Sequence, residues 1–170
     1  MSAAKLIPLA ALSLLAISDV VFGQTVQVPA LSLAGARTVL LAAEQKAQQL
    51  KAPSSLAVVD PSGDLILFEQ MPGARPIGIE LAIGKARSAA RFQLPTETLE
   101  AAINAGRPAA ITADQTQMQG GVPIRIGGIV VGAVGISGLD KTNDVGIAEA
   151  AVGAVAIGGL PEATRGGAGR

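Results

Sequence analysis

Lys85 is the side chain whose position in the sequence points most directly to binding chemistry. The apolar pattern predicts a helix from Ile77 to about Phe92. A rotation of about 100° per residue places Glu80, Arg87 and Arg91 along one line of that helix, and Lys85 lies roughly 140° away among apolar residues. An ammonium group on an apolar face has to reach solvent, find a partner or line a cavity. We predict that Lys85 lines a ligand pocket, and that the charged line is a solvated stripe or an oligomer interface.

Four further side chains are candidates for ligand contacts. Glu69 and Arg75 flank the loop after the second predicted strand, so either can face a site at the end of that strand. Arg107 follows a predicted helix; it can bind a carboxylate or simply favour the negative end of the helix dipole. The thioether of Met118 can ligate haem iron, or it can fill a gap in the packing.

The sequence contains no histidine and no cysteine. It therefore holds no Ser-His-Asp or Cys-His catalytic set, no Cys/His zinc site and no disulfide. Ser137 stands in a Gly-Ile-Ser-Gly run, but a nucleophile elbow needs a base, and none of the usual kind is present. We assign no catalytic residue, and these residues leave open whether the chain binds a metal or acts as an enzyme.

The charge balance argues against a nucleic-acid partner. The 13 basic and 13 acidic residues cancel, and no basic stripe with interleaved aromatic residues is present. An apolar fraction of 49% with only 15% charged residues indicates a well-buried fold rather than disorder. A small apolar domain often buries a further face against copies of itself, so we expect a homo-oligomer.

The first residues are typical of a secretory signal peptide. Lys5 precedes an apolar run from Leu6 to Ile17, and residues 21–23 offer small side chains for cleavage. The run is shorter than the roughly 20 apolar residues that span a bilayer, although a retained membrane anchor is the alternative. We expect cleavage after Gly23, a mature domain over residues 24–160, a loose tail over residues 161–170 and a periplasmic or secreted location. No membrane span is expected after cleavage.

The predicted elements follow the order helix, hairpin, two helices, hairpin, helix. This order favours an α+β fold in which helices pack on an antiparallel sheet. Ser32 is a good N-cap for the first helix, and Gly127-Gly128 is a two-residue loop that suits a tight hairpin. The predicted bounds are residues 33–52, 56–60, 65–69, 77–92, 97–105, 122–126, 129–136 and 143–157.

Gly132, Gly135 and Gly138 recur at every third residue in and after the last predicted strand. Their spacing differs from the G-x-G-x-x-G dinucleotide fingerprint, and they do not open a helix. Either a ligand or a neighbouring backbone comes close at these positions, or the glycines relieve crowding against a helix.

Several blocks of the sequence occur in the order found in one known family. They are Leu33-Ala34-Gly35-Ala36-Arg37, Ala57-Val58-Val59-Asp60-Pro61-Ser62-Gly63-Asp64-Leu65, Gly84-Lys85-Ala86-Arg87-Ser88-Ala89, Pro95-Thr96, Gly106-Arg107-Pro108, Gly120-Gly121-Val122-Pro123-Ile124 and Gly132-Ala133-Val134-Gly135-Ile136-Ser137-Gly138. Together they resemble the GlcG/HbpS-like haem-binding family, which includes the C-terminal domain of PduO-type cobalamin adenosyltransferases. The resemblance spans roughly residues 31–158.

The resemblance implies a five-stranded antiparallel sheet flanked by helices, of the PAS/profilin-like kind, and symmetric oligomers. It also implies binding of haem or a related tetrapyrrole in some members. Some members are thought to hold haem iron through histidine, which this chain lacks. Haem would then place its propionates on Lys85 or Arg107, with axial ligation by Met118, Lys85 or the Thr112 hydroxyl weak or absent.

These residues and the resemblance predict an exported, oligomeric binding protein for haem or a related planar tetrapyrrole, without histidine ligation. Two other functions stay open. The chain could be a structural or assembly protein with no dedicated ligand. It could also be an accessory enzyme for a small 2-hydroxy acid, which would need an anion pocket made by Lys85 with Arg75 or Arg107.

Overall fold

The computed structural model describes residues 26–113 and 116–158, so the predicted signal peptide and tail lie outside the described residues. The helices are α1 (Leu33–Gln49), α2 (Gly78–Phe92), α3 (Thr96–Asn104) and α4 (Lys141–Gly158), with a short 3-10 helix at Pro108–Ala113. The strands are β1 (Ser55–Val59), β2 (Leu65–Gln70), β3 (Gly121–Ile126) and β4 (Ile129–Ser137). Within these ranges, no helix is both long and apolar enough to span a membrane.

The strands form one antiparallel sheet in the order β2-β1-β4-β3. Each predicted hairpin is present, and the two hairpins join where β1 pairs with β4, with Ala57 opposite Gly135. The predicted α+β fold with an antiparallel sheet is confirmed. The sheet order places β4 at the centre, where it receives contacts from elements at both ends of the sequence.

The described residues form four strands rather than the five that the resemblance implies. The segment before α1 reaches β4 without becoming a strand, because Leu31 donates a single backbone hydrogen bond of 2.8 Å to the Val131 carbonyl. That carbonyl is free to accept because β1 has already ended at Val59, opposite Ala133. Pro29 has no N–H group with which to extend the pairing.

Helices cover both faces of the sheet, and the alternating side chains of β1 separate the two cores. Leu56 and Val58 point into a larger cluster with apolar residues of α1 and α4. Ala57 and Val59 point the other way, into a cluster that α2 supplies almost entirely with alanine. The sequence has few aromatic side chains, so the core is filled by small residues that allow close approach.

Gly135 shows why β4 carries glycines. A Cβ atom at this position would overlap the backbone carbonyl of Ala82 and the backbone nitrogen of Ala86 in α2. At Gly132, a Cβ atom would meet the backbone carbonyl of Val59 in β1. At these two positions a neighbouring backbone comes close, and at Gly135 that backbone is a packed helix.

The charged line on α2 is exposed on the surface of the single chain, and two of its arginines also hold the turn between β1 and β2. Arg87 Nε donates to the Gly63 carbonyl at 3.1 Å, and Arg91 Nε donates to the Ser62 carbonyl at 2.8 Å. The Asp60 carboxylate accepts the Ser62 amide at 2.8 Å from within the turn. These bonds fix the first hairpin against α2.

Candidate ligand-binding site

The Lys85 side chain is buried rather than extended into solvent. It is 2% exposed, and its ammonium donates to the Ile136 carbonyl and to Asp144 Oδ2, each at 2.8 Å. The side chain also lines a cavity of about 110 Å³. Lys85 therefore has both a charged partner and a cavity beside it, which are two of the three arrangements open to a lysine on an apolar face. Its contact with a ligand stays a prediction.

Asp144 lies in the candidate site and was not among the residues predicted from the sequence. It lies in the first turn of α4, and its second oxygen, Oδ1, accepts the Gly138 amide at 2.7 Å. Helical periodicity could have indicated that Asp144 is buried, because Asp144 shares one face of α4 with the buried Ile147 and Ala151. An acidic residue on a buried face requires a cation, and Lys85 is that cation.

Thr96 supports the site from the first position of α3. The N-cap of α3 is Pro95, so Thr96 is the first helical residue and caps nothing. Its buried hydroxyl instead accepts the Gly121 amide at 2.8 Å. A Cβ atom at Gly121 would overlap the Lys85 carbonyl. The start of β3 can therefore lie directly against the backbone of α2 at Lys85.

Three of the predicted contact residues line the small cavity together: Lys85, Arg75 and Met118. Arg75 Nη2 donates to the Gly138 carbonyl at 2.9 Å, which holds the guanidinium at the end of β4. The remaining lining residues are Leu81, Glu100, Gln119, Ser137, Gly138, Leu139, Lys141 and Asp144. We name this the Lys85 pocket.

Arg107 lies in a separate and larger cavity of about 460 Å³, which we name the Arg107 pocket. Its other lining residues come from the end of α2, from α3 and from the segment around the 3-10 helix: Phe92, Leu94, Leu99, Ala102, Ala109, Ala110, Ala113 and Gln117. A further cavity of about 300 Å³ shares Gln117 with it and is also lined by Glu100, Ile103, Ile111 and Met118. Lys85 and Arg107 line different cavities, so of the two arginines considered for an anion pocket with Lys85, Arg75 is the one that lies in the same pocket.

Thr112 and Glu69 line none of these three cavities. The Thr112 hydroxyl donates to the Ala109 carbonyl at 2.7 Å, within the 3-10 helix. Glu69 lies on the outer strand β2, opposite Leu56, on the face that α1 covers. In the described ranges, no group of three or more acidic side chains is placed to hold a metal ion.

Glu69 is expected to make stability depend on pH. Burial raises the pKa of its carboxyl, and the neighbouring Glu44 carboxylate raises it further. A carboxyl with a raised folded-state pKa costs nothing below its unfolded pKa of about 4.3, and its cost appears as the pH rises through the folded-state pKa. Glu69→Gln should remove this loss and raise the free energy of unfolding at pH 7 by up to about 0.5 kcal/mol. Urea unfolding at pH 4 and pH 7 measures the free energy of unfolding of both proteins. If the difference between the two pH values were the same in Glu69→Gln as in the unaltered protein, the prediction would be contradicted.

The fold and the site define a small α+β domain whose antiparallel sheet is covered by helices on both faces, with a buried ion pair that lines one small cavity and a larger cavity lined mostly by apolar residues. The HbpS-like family, described as haem degrading protein HbpS-like, matches residues 31–153. The chain belongs to this family. The family that the sequence blocks indicate is thereby confirmed.

Two relatives show how far the similarity extends. Protein GlcG of Escherichia coli strain K12 is 36% identical over 103 residues, which cover 60% of this chain and 77% of GlcG. The corrinoid adenosyltransferase PduO of Salmonella typhimurium strain LT2 is 32% identical over 124 residues. That match covers 69% of this chain but only 36% of PduO, so it concerns one part of the larger protein.

Solved structures show the same fold. The complex of PduOC with haem superposes with a TM-score of 0.67 at 30% identity, covering 74% of this chain and 94% of PduOC. HbpS superposes with a TM-score of 0.72 at 26% identity, covering 77% of this chain and 94% of HbpS. The ORFY protein of Klebsiella pneumoniae gives 0.71 at 27% identity, with the same two coverages.

Proposed function

We propose that this chain is an exported, oligomeric binding protein for haem or a related planar tetrapyrrole, and that it holds this ligand without histidine. The family to which the chain belongs is described as haem degrading, and the similar PduOC structure contains haem. The predicted signal peptide supports export. Exposed apolar side chains support assembly, among them Leu41 on α1 and Ile126 and Ile129 at the tip of the second hairpin.

The Arg107 pocket is the observation that carries this proposal. Its volume of about 460 Å³ falls within the roughly 300–1,000 Å³ that small-molecule sites occupy. Apolar walls of this kind suit the face of a tetrapyrrole, and the exposed guanidinium of Arg107 suits a propionate. The Lys85 pocket, at about 110 Å³, is too small to take the macrocycle. The proposal therefore places haem at Arg107, which is one of the two positions expected from the resemblance.

Among the candidate iron ligands, the geometry favours Met118. The Lys85 nitrogen is occupied by Ile136 and Asp144, and the Thr112 hydroxyl bonds to its own helix. The Met118 side chain is 51% exposed and lines the cavity that adjoins the Arg107 pocket. A methionine thioether is an established ligand of haem iron, but an exposed one is weakly held. Ligation by this chain is then weak or absent.

A hemin titration tests the proposal. Adding hemin to the mature protein, residues 24–170, is expected to give a saturable shift of the Soret band. Arg107→Gln should weaken hemin binding about three- to tenfold. It removes a charge-assisted hydrogen bond to a propionate, and such a bond adds to the affinity at an exposed rim, though less than in a buried site. Native mass spectrometry of the same samples measures the haem stoichiometry and the size of the oligomer.

Arg37→Gln is the matched control, since it removes the same charge from an exposed position on α1. It is expected to bind hemin as the unaltered protein does. A hemin spectrum identical to that obtained with an inert protein would end the proposal and favour a structural protein with no dedicated ligand. Equal weakening by both substitutions would show that net charge, rather than the Arg107 pocket, attracts hemin.

A further inference from the structure

The proposed haem site gives the Lys85 pocket no role. The Lys85 pocket is nevertheless more polar than the Arg107 pocket. It lies where the last residue of β4 and the start of α4 meet α2. Two of its charged side chains, Lys85 and Asp144, are almost completely buried. Burying charged groups is costly even when they are paired. A pocket that nevertheless keeps them beside open space is a candidate site for a polar ligand.

The pocket holds an excess of positive charge. Its lining contains three cations, Lys85, Arg75 and Lys141, and two carboxylates, Asp144 and Glu100. The Lys85 ammonium is paired with Asp144 at 2.8 Å, and the Lys141 ammonium lies 3.5 Å from Glu100. Among the described side chains, Arg75 has no carboxylate within ion-pair distance. One positive charge at the pocket is therefore not neutralised by its own lining.

Within the described part of the chain, the contacts that hold Arg75 in place are neutral. Its Nη2 donates to the Gly138 carbonyl at 2.9 Å, and Nε2 of the Gln70 side chain donates to the Arg75 carbonyl at 3.2 Å. A guanidinium carries five N–H donors in a rigid plane, a geometry that matches a carboxylate. The contact with Gly138 uses one of these donors, so further donors can serve a ligand.

We propose that the Lys85 pocket binds the carboxylate of a small organic acid through Arg75, assisted by Lys141. Leu81, Leu139 and Met118 supply an apolar wall for the carbon chain. A cavity of about 110 Å³ is smaller than the 150 Å³ apolar cavity that accepts benzene. The site therefore suits an acid of about two to four carbons. The buried pair of Lys85 and Asp144 stays closed and forms part of the lining.

The carboxylate can come from a free acid or from the propionate of a haem whose ring lies elsewhere. Glu100 and Met118 line both the Lys85 pocket and the neighbouring cavity that contains Ile103 and Ile111, so a larger ligand could reach the site through its propionate. Both sources present the same group to Arg75. This inference does not depend on the proposed haem site, because it assigns a different pocket and a different arginine.

Propionate is the probe, and propionamide is its neutral counterpart of the same shape. At constant ionic strength, propionate is expected to shift the amide resonances of Gln119, Gly138 and Leu139 with a Kd of about 1 mM, as the ligand's few atoms allow. Propionamide should leave them unshifted. Arg75→Gln should weaken propionate binding about tenfold and Lys141→Gln about threefold, while Arg37→Gln should have no effect. Circular dichroism confirms that each variant is folded.

Equal shifts with propionate and propionamide, or unchanged propionate binding in both the Arg75 and the Lys141 variants, would overturn the inference. Hemin added to the propionate complex separates the two sources. Displacement of propionate by hemin assigns the pocket to a haem propionate, and simultaneous binding assigns it to a free acid. Propionate is titrated alone first, so this titration tests the Lys85 pocket even if the protein does not bind hemin.

Discussion

Lys85→Met is expected to lower the free energy of unfolding by about 3–5 kcal/mol, the loss typical of removing one partner from a buried ion pair. The substitution deletes the ammonium that lies 2.8 Å from Asp144. It leaves a buried carboxylate whose remaining hydrogen bond, among the residues that the structure describes, comes from the Gly138 amide. Urea unfolding measures the loss, and an unchanged m-value shows that the same surface is exposed on unfolding.

Lys141→Met is the matched control, because the Lys141 side chain is 65% exposed and its ion pair with Glu100 is longer, at 3.5 Å. Exposed pairs of this kind contribute less than about 1 kcal/mol. A loss below about 1 kcal/mol in Lys85→Met would contradict the buried pair as the anchor between α2 and α4. The large expected loss also means that weaker hemin binding by a Lys85 variant would report unfolding, so Arg107 is the sharper probe of a haem site.

Gly135→Ala is expected to cost about 3 kcal/mol or more, at the upper end of the range for overpacked cores. The added methyl group would overlap backbone atoms of Ala82 and Ala86 in α2. Backbone atoms cannot rotate aside as a side chain can, so the strand and the helix would have to separate. Urea unfolding again measures the change, and a loss of soluble protein would be the extreme form of the same result.

Gly146→Ala makes the same chemical change where nothing lies within 4 Å of the new methyl group. Gly146 is inside α4, and glycine there is less favourable than alanine by up to about 1 kcal/mol. This control is therefore expected to be stabilising. If Gly135→Ala were also neutral or stabilising, the close packing of α2 on β4 would be wrong.

Most of the local structure could be predicted from the sequence. The Ser32 cap is observed, with its hydroxyl accepting the Gly35 amide at 3.1 Å, and the Gly127-Gly128 turn joins β3 to β4 as expected. Such features depend on residues a few positions apart, so their preferences are contained in short segments. The strand count differs from the five that the resemblance implies, because the segment before α1 meets β4 through one backbone hydrogen bond, from Leu31 to Val131, and does not become a strand.

The candidate site was predictable in part. The helical phase of α2 by itself identified Lys85 as a charged residue on an apolar face, and the burial follows from that phase. The same reasoning applied to α4 would have identified Asp144 as a buried acid, although not as the partner of Lys85. The two residues are 59 positions apart, and no local pattern encodes that pairing.

The amino-acid sequence alone determined the family, the order of the elements, the exclusion of histidine and cysteine chemistry, and the unusual position of Lys85. The tertiary structure decided which charged residues meet. The sheet order β2-β1-β4-β3 brings Arg75, Lys85 and Asp144 to the end of β4 and leaves Arg107 with α3 in a different cavity. The reason is physical: periodicity reports which face of an element is buried, whereas the partner across that face depends on strand order and register.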